Sequence, residues 1–207
     1  DKPKPDLGLL DRLLFLAEFN RITPYIILNK CDLDIHEHAM QILNYYPGTY
    51  KVIRTSARQN IGIDMLSDAI SGEIAVFAGP SGVGKSHMLQ RLTGQSDIRT
   101  GEVSAKIGRG KHTTRHVELY PLPRGGWIVD TPGFSVLDMP ALKREDLTQY
   151  FPDFTAHESD CKFSNCIHYR EKECGVKTAV GEHIILSSRY QNYISMLEEV
   201  MERERCY

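Results

Sequence analysis

The sequence predicts an α/β fold with a mostly parallel sheet, followed by a small, mostly helical segment. Short apolar runs alternate with stretches of helical periodicity along the first 140 residues, a pattern typical of such sheets. Glycine-bearing polar motifs follow several of these runs directly, as in sheets that form a site at the carboxyl ends of their strands. Beyond about Met139 the composition becomes polar and then cysteine-bearing. We therefore predict two domains, at residues 1–145 and 146–207.

The bulk composition restricts the function before any motif is considered. A chain of 207 residues with 41% hydrophobic residues can form one packed domain and a small appendage. The net charge of −2 excludes a general polyanion binder, so any nucleic-acid surface has to be a local patch. No apolar stretch reaches the roughly 18–20 residues of a membrane span. Because the chain starts at Asp1 rather than methionine, we expect it to be a fragment.

The elements follow from hydrophobic periodicity, taken in chain order. Leucines at helical spacing predict a first helix over 9–19, and the apolar run 25–28 predicts a buried strand. The same reasoning predicts helices at 35–46, 63–70, 85–92 and 178–205, and strands at 52–55, 74–78, 117–120 and 127–129. Residues 97–116 show no clear period and contain several glycines and basic residues, so we predict a mobile loop there.

A phosphate-binding loop lies between the predicted strand at 74–78 and the helix at 85–92. It reads Gly79-x4-Gly84-Lys85-Ser86, and its expected nucleotide ligands are Gly79, Ser81, Gly82, Val83, Gly84, Lys85 and Ser86. The glycines let backbone N–H groups curl around phosphate oxygens, and the helix N-terminus adds partial positive charge. Lys85 is predicted to act on the β- and γ-phosphates, and the Ser86 hydroxyl to bind Mg²⁺.

A guanine-reading motif, Asn29-Lys30-Cys31-Asp32, follows the predicted strand at 25–28. The Asp32 carboxylate can accept both the N1–H and the exocyclic amino group of guanine, donors that adenine does not present in that arrangement. Asn29 can bond another purine edge or hold the pocket together, and the Lys30 stem can cover the base. Ser56-Ala57 ends the next strand and is similar to a loop whose backbone contacts the guanine oxygen. Alone, the first motif would fit a solvated strand-end turn equally well.

The order of these motifs predicts a circularly permuted P-loop GTPase domain. In most GTPases the guanine-reading motif lies far downstream of the phosphate loop, whereas here Asn29 precedes Gly79. Because such pockets are built from loops at strand ends, chain order can change without changing the pocket.

Magnesium and switch residues are expected after the phosphate loop. Asp130-Thr131-Pro132-Gly133 ends an apolar strand; Asp130 is predicted to hold Mg²⁺ and the Gly133 N–H to contact the γ-phosphate. Phe134 stands where many GTPases have a glutamine that orients water, so we predict slow intrinsic hydrolysis.

The basic loop supplies further candidates. Of Thr113 and Thr114, the sequence favours Thr114 as the switch threonine on Mg²⁺. His112 is a candidate for positioning or deprotonating water, and the alternative is a histidine that is only solvated. Residues 98–116 contain five Lys or Arg residues and only one acid. The segment is therefore either an RNA-binding patch or a solvated loop.

A metal site is predicted in the second domain. Cys161-x4-Cys166-x-His168-x5-Cys174 supplies three thiolates and one imidazole, a suitable tetrahedral set for Zn²⁺. Four protein ligands leave no open coordination position, so the site is predicted to be structural. His157 and His183 are the alternative ligands. The odd count of five cysteines and this cluster argue against a disulfide framework and for a reducing compartment.

Taken together, these motifs resemble one family, the bacterial ribosome small-subunit-dependent GTPases (RsgA, also called YjeQ). The resemblance runs from about Leu10 to the C-terminus. It implies a cytoplasmic enzyme that hydrolyses GTP to GDP and phosphate late in maturation of the 30S subunit, is stimulated by that subunit and contacts its rRNA. It also implies an N-terminal OB-fold barrel, which we expect this chain to lack. We expect a monomer, with GTP or GDP, Mg²⁺ and one Zn²⁺ as cofactors and with no membrane or DNA partner.

Two other functions remain open at this point. One is a P-loop ATPase or small-molecule kinase with a zinc appendage, which an ATP preference would indicate. The other is an RNA-binding module whose GTPase is vestigial, which zinc-dependent but nucleotide-independent RNA binding would indicate.

Overall fold

The computed structural model describes residues 3–95, 118–130 and 137–205. Their helices and strands are α1 Leu7–Phe19, β1 Tyr25–Leu28, α2 Glu37–Tyr45, β2 Lys51–Arg54, α3 Ile63–Ala69, β3 Ile74–Val76, α4 Lys85–Thr93, β4 Glu118–Pro121, β5 Trp127–Asp130, α5 Pro152–Thr155, α6 Gly175–Gly181 and α7 Ser187–Arg205. Short 3₁₀ helices lie at Arg144–Asp146, Thr148–Tyr150 and Glu158–Asp160. None of the described helices is both long and apolar enough to cross a bilayer.

The chain divides into two compact units. The first comprises residues 1–4, 26–36 and 52–135, and the second comprises 5–25, 37–51 and 136–207. The second unit therefore contains α1 and α2, which the sequence analysis grouped with the first domain. The boundary between residues 145 and 146 remains a prediction.

The first unit contains the strands that deliver the candidate nucleotide motifs. β1 pairs with β2, and β5 lies between β3 and β4 in a three-stranded sheet. β5 runs parallel to β3, with Ala75 opposite Ile128, but antiparallel to β4. The sheet is mixed at this point because β4 and β5 form a hairpin, closed by a hydrogen bond from the Leu122 N–H to the Gly126 carbonyl.

The parallel pairing of β3 and β5 fixes where the site lies. The carboxyl ends of both strands point the same way, so the loop at 79–84 and Asp130 leave the same end of the sheet. The end of β2 is bonded to the end of β1. The Thr55 N–H donates to the Leu28 carbonyl at 2.9 Å, and the Cys31 N–H donates to the Thr55 carbonyl at 3.0 Å. The predicted motifs are thus placed at strand ends, as expected for this class of sheet.

The second unit is built around α1 and α7. The Asp6 side chain caps α1 by accepting from the Leu9 N–H at 2.9 Å. The unit's core is apolar and consists of Phe15, Met139, Leu147, Phe151, Phe154, Cys174, Val176, Ala179, Ile185, Tyr193, Met196, Leu197 and Val200. The ring centroids of Phe151 and Phe154 lie 5.2 Å apart, and each ring lies about as close to Tyr193. These aromatic side chains form one packed cluster within that core.

The predicted helix over 178–205 is two helices in the structure. α6 ends at Gly181, and the Ile184 N–H folds back onto the Ala179 carbonyl at 2.9 Å. His183 has a φ of 59°, which no continuous right-handed helix can accommodate. Residues 182–186 therefore form a turn that sequence periodicity alone did not reveal.

Candidate functional site

The predicted guanine motif and the start of α4 line one pocket of about 790 Å³ in the first unit. Five predicted residues from the base-reading segments line it together with Gly84. The lining residues are Asn29, Lys30, Asp32, Leu33, Ser56, Ala57, Arg58, Asn60, Gly84, His87, Gln90, Arg91, Gly94 and Gln95. The pocket is thus lined by the loops that follow β1 and β2, where the sequence placed the base-reading residues, and also by α4.

Asn29 connects these segments through its side-chain amide. Its Nδ2 donates to the Val83 carbonyl of the phosphate loop at 2.8 Å. Its Oδ1 accepts from the Ala57 N–H at 3.1 Å and from the Thr55 hydroxyl at 3.2 Å. One carboxamide therefore ties the phosphate loop to the loop after β2, and only a side chain with both a donor and an acceptor can do so.

Lys30 makes a second connection to the phosphate loop. Its ammonium donates to the Gly82 carbonyl at 2.8 Å, and its backbone has a φ of 66°. A left-handed conformation is unfavourable for a side chain other than glycine and is found most often where a function requires it. Here it accompanies a side chain that reaches across the candidate base pocket.

Lys85 folds back onto its own loop. Its Nζ donates to the Gly79 carbonyl at 2.7 Å and to the Pro80 carbonyl at 2.9 Å. Ser86, the second residue of α4, is partly buried. The loop thus holds its cation at the N-terminus of α4, where an anion would also meet the helix dipole.

Gly84 is a position at which only glycine fits. Its φ is 100°, and an added Cβ would lie 2.3 Å from Asn29 Nδ2. Gly84→Ala is expected to break the hydrogen bond from Asn29 to Val83 and to weaken GDP binding about ten- to hundredfold, because strain of this kind costs ~1–3 kcal/mol.

Titration of the Gly84→Ala variant with a fluorescent GDP analogue measures this effect. Gly48→Ala is the matched control, because no atom lies within 4 Å of an added Cβ there. Equal affinities for the two variants would contradict the proposed close contact between Gly84 and Asn29.

Asp32 is kept ionised by its surroundings. The pKa of Asp32 lies below its ordinary value, mainly because its carboxylate accepts a hydrogen bond from Ser56, with further help from the charges of Arg58 and Lys30. Ser56 is fully buried, and its hydroxyl oxygen also accepts from the Gln59 N–H at 3.1 Å. An ionised carboxylate is the acceptor that two guanine donors require.

Several predicted residues cannot be compared with the structure. Asp130 is the last residue of β5, in the position expected for a magnesium ligand, although only its backbone is described. Gly133 and the loop residues His112, Thr113 and Thr114 lie outside the described ranges, as do Phe134 and all of the predicted mobile loop. Their roles remain predictions.

Sequence reasoning missed the contribution of α4 to the pocket. His87, Arg91 and Gly94 follow one another at four- and three-residue spacing, and all three line it. That spacing places them on one face of the helix. The signal was present in the sequence as polar residues repeating along the helix after the phosphate loop, but it did not suggest a role.

The predicted zinc ligands form a compact group in the second unit. The ligand atoms of Cys161, Cys166, His168 and Cys174 all lie within 4.8 Å of one another. His168 Nδ1 is 3.6, 3.4 and 3.3 Å from the three sulfurs in that order, and the Cys161 and Cys174 sulfurs are 4.0 Å apart. Ordinary zinc bond lengths in a tetrahedron place sulfur about 3.6 Å from nitrogen and about 3.8 Å from sulfur. The four side chains therefore fit one zinc ion.

The protein surrounding this cluster orients its ligands. The Gly175 N–H donates to the Cys161 sulfur at 3.3 Å, and the Tyr190 hydroxyl donates to the His168 carbonyl at 2.8 Å. Burial lowers the pKa of His168, which favours the neutral imidazole that binds metal. Burial raises the pKa of Cys166 to about 12, so without a cation its thiolate is unfavourable. The alternative ligand His157 contacts Asp160 instead.

Comparison with known proteins places this chain in a family. A family model described as RsgA GTPase matches residues 1–140. The small ribosomal subunit biogenesis GTPase RsgA of Alkaliphilus metalliredigens is 47% identical over 205 residues, which cover 99% of this chain and 70% of that protein. The protein of the same name from Moorella thermoacetica is 46% identical and is covered to 71%.

Two solved structures share the fold. YjeQ from Thermotoga maritima aligns with a TM-score of 0.78 at 35% identity, covering 97% of this chain and 68% of that one. YloQ, described as a circularly permuted GTPase, aligns with a TM-score of 0.73 at 34% identity. The alignment covers 98% of this chain and 65% of YloQ. These similarities confirm the prediction of a circularly permuted GTPase fold. Since the family model matches well over half of the residues and the relatives are far more than 30% identical, the chain belongs to the RsgA GTPase family.

Proposed function

We propose that this chain binds GTP with Mg²⁺, hydrolyses it to GDP and phosphate, and acts in biogenesis of the small ribosomal subunit. The observation that carries the proposal is the position of Asn29, which holds the phosphate loop and the loop after β2 against one pocket containing Asp32. The names of the relatives support the ribosomal part of the proposal.

Guanine recognition is assigned to the loops after β1 and β2. The ionised Asp32 accepts from the N1–H and the 2-amino group. The Ala57 N–H, which donates to Asn29 Oδ1 at 3.1 Å in the structure, donates to the 6-oxygen when guanine is bound. The Lys30 stem covers one face of the base while its ammonium remains on Gly82. Lining of one pocket by all three residues supports this assignment.

Phosphate and magnesium binding are assigned to the strand ends nearby. The backbone N–H groups of residues 79–86 enclose the phosphates, and Lys85 exchanges its two carbonyl partners for β- and γ-phosphate oxygens. Ser86 and Asp130 hold Mg²⁺ together with Thr114 or, in its place, Thr113. The parallel pairing of β3 and β5 supports this arrangement, since it brings Asp130 to the end of the sheet where the phosphate loop begins.

Hydrolysis by the isolated chain is proposed to be slow. Phe134 has no group that can orient water, and His112 is the candidate that supplies this function in its place. Binding of the small subunit would then accelerate turnover by placing such a group beside the γ-phosphate.

Zinc is assigned a structural role at Cys161, Cys166, His168 and Cys174. The four ligands complete a tetrahedral shell, and three thiolates with one imidazole are soft donors, which supports zinc over a hard cation. We propose further that the chain acts as a monomer in the cytoplasm and contacts rRNA of the small subunit.

The proposal is tested by GTP turnover with and without purified small ribosomal subunits, alongside ATP. GTP-specific turnover that rises strongly with the subunit is expected. An ATP preference would remove the role of Asp32 and favour the ATPase or kinase alternative. RNA binding that depends on zinc but not on nucleotide would favour the RNA-binding alternative.

Asp32→Asn tests the base assignment directly. The variant is expected to bind GDP about ten- to a hundredfold more weakly, because a hydrogen bond to a charged group is worth ~1.5–3 kcal/mol. An asparagine amide can donate to the 2-oxygen of xanthine, so affinity for xanthosine diphosphate should rise in the same variant. Calorimetric titration with both nucleotides measures the change, and unchanged GDP affinity would remove Asp32 from the site.

A further inference from the structure

Arg91 links the helix after the phosphate loop to the loop that follows β2. Its Nε donates to the Ala57 carbonyl at 2.8 Å, and its Nη2 donates to the Arg58 carbonyl at 3.3 Å. Arg91 lies on the pocket-lining face of α4, seven residues after Gly84. One guanidinium thus spans two consecutive carbonyls, which its planar fork of donors allows.

The segment held by Arg91 is otherwise closed by few bonds. Ser56 and Ile61 exchange both backbone hydrogen bonds, at 2.9 and 3.0 Å, and form the base of the loop. The Ser56 hydroxyl accepts from the Gln59 N–H inside it. Arg58, Gln59 and Asn60 are exposed, and Asn60 has a φ of 59°. The backbone around Ala57 therefore depends on partners from outside the loop for its orientation.

Two such partners bind the two backbone polar groups of Ala57. Asn29 Oδ1 accepts from its N–H, the donor that bound guanine takes over, and Arg91 donates to its carbonyl. We propose that Arg91 is a positioning residue for base specificity: by fixing the Ala57 and Arg58 carbonyls, it aims the Ala57 N–H at the 6-oxygen of guanine. This inference rests on the guanine assignment made above and adds to it the group that sets the 6-oxo preference.

The charge of Arg91 is not the property that this role uses. The cations that stabilise the Asp32 carboxylate are Arg58 and Lys30. Arg91 acts through two directed hydrogen bonds to carbonyls. Lysine has a shorter side chain with a single nitrogen at its end, so it cannot make both bonds in the same geometry. A charge-preserving substitution should therefore fail where a purely electrostatic role would tolerate it.

The test compares four nucleoside diphosphates. GDP carries the 6-oxo group, the N1–H and the 2-amino group, and IDP lacks only the 2-amino group. The 2-aminopurine riboside diphosphate lacks the 6-oxo group together with the N1–H, and ADP lacks all three. Dissociation constants are measured by calorimetry for the wild-type chain, Arg91→Ala, Arg91→Lys and Arg54→Ala. Arg54 is an exposed arginine of β2 that does not line the pocket, so its variant controls for the loss of one positive charge.

Arg91→Ala is expected to reduce the preference for GDP over the 2-aminopurine nucleotide about five- to thirtyfold. The preference for GDP over IDP, which reports on Asp32, should change less than about twofold. Arg91→Lys should resemble Arg91→Ala, and Arg54→Ala should resemble the wild type. Thermal unfolding of each variant should show an intact fold, because Arg91 is an exposed residue.

The other outcomes overturn the inference. An unchanged 6-oxo preference in Arg91→Ala, or full rescue by lysine, would show that the two carbonyl bonds do not matter for recognition. A parallel loss for all four nucleotides, or a fall in both preferences, would show that Arg91 supports the whole pocket. A wild-type chain that does not prefer GDP over ADP would instead overturn the proposed function, so the two failures are distinguishable.

Discussion

Removal of zinc is expected to unfold residues 156–181 of the second compact unit while leaving GDP binding within about twofold of its original strength. Cys174 immediately precedes α6 and is buried in the same core as Phe154, Val176 and Tyr193. The segment at 156–174 contains only one short 3₁₀ helix, so few backbone hydrogen bonds would hold it without metal. Structural zinc supplies about 10–16 kcal/mol to small metal-dependent domains, more than the stability of most domains.

Cys166→Ser is the sharper form of this experiment. The variant should lose stoichiometric zinc, and its amides in residues 156–181 should exchange hydrogen rapidly. Cys31→Ser is the control, since Cys31 is a free thiol in the first unit and outside the cluster. Zinc content that stays at one ion per chain in Cys166→Ser would show that the ligand set is wrong.

The candidate site could be predicted largely because its functional residues lie close together in the sequence, in short motifs. The residues around Asn29 and around Gly84 each form a short motif whose spacing suits one task, base recognition or phosphate binding. The structure brings residues of both motifs to one pocket. The zinc ligands were equally predictable, since thiolates and imidazoles at this spacing have few other uses. In both cases the local sequence determines which atoms can meet.

The contribution of Arg91 could not be predicted in this way. Its partners are backbone carbonyls, which have no signature in the sequence, and they lie more than thirty positions earlier in the chain. The turn that separates α6 from α7 was missed for a different reason. It depends on a left-handed backbone at His183, and hydrophobic periodicity does not report the backbone conformation of a single residue. Long-range contacts to the backbone are therefore the part that sequence motifs leave out.

The buried ion network of the second unit was also missed, although a signal for it existed. Asp11 lies among the buried positions of α1, between Leu7 and Leu14, where a charged residue is unfavourable without a partner. An acid on the apolar face of a predicted helix therefore implies a buried cation elsewhere in the chain. The structure identifies that cation as Arg189 of α7.

Arg189→Ala is expected to destabilise the second unit by about 3–5 kcal/mol, because it would leave two carboxylates without their cation. The side chain of Arg189 is 4% exposed and that of Asp11 is 0% exposed. Its Nη1 donates to Asp11 at 2.7 Å, and its Nε and Nη2 donate to the two oxygens of Asp153 at 2.6 and 2.7 Å. The guanidinium also lies 5.1–5.6 Å from the ring centroids of Tyr46, Tyr50 and Phe151.

Arg203→Ala provides a control on the same helix. Arg203 pairs with Glu199 at 3.0 Å and also donates to the Met139 carbonyl, but its side chain is 45% exposed. Loss of these exposed contacts should cost about 1–2 kcal/mol. Urea unfolding followed by circular dichroism compares the two variants, and equal stabilities would show that the buried network contributes no more than a surface pair.

The same network bears on where a domain of this chain ends. Asp11 and the tyrosines of the network belong to residues 5–51, whereas Asp153 and Arg189 belong to the C-terminal part. A fragment starting at residue 146 would retain the cation and one of its acids but lose Asp11, Tyr46 and Tyr50, together with the α1 face that packs on α7. Such a fragment is expected to be unstable even with zinc bound. A cooperative unfolding transition of residues 146–207 alone would instead support the predicted boundary at residue 145 and show that the N-terminal helices are dispensable for this unit.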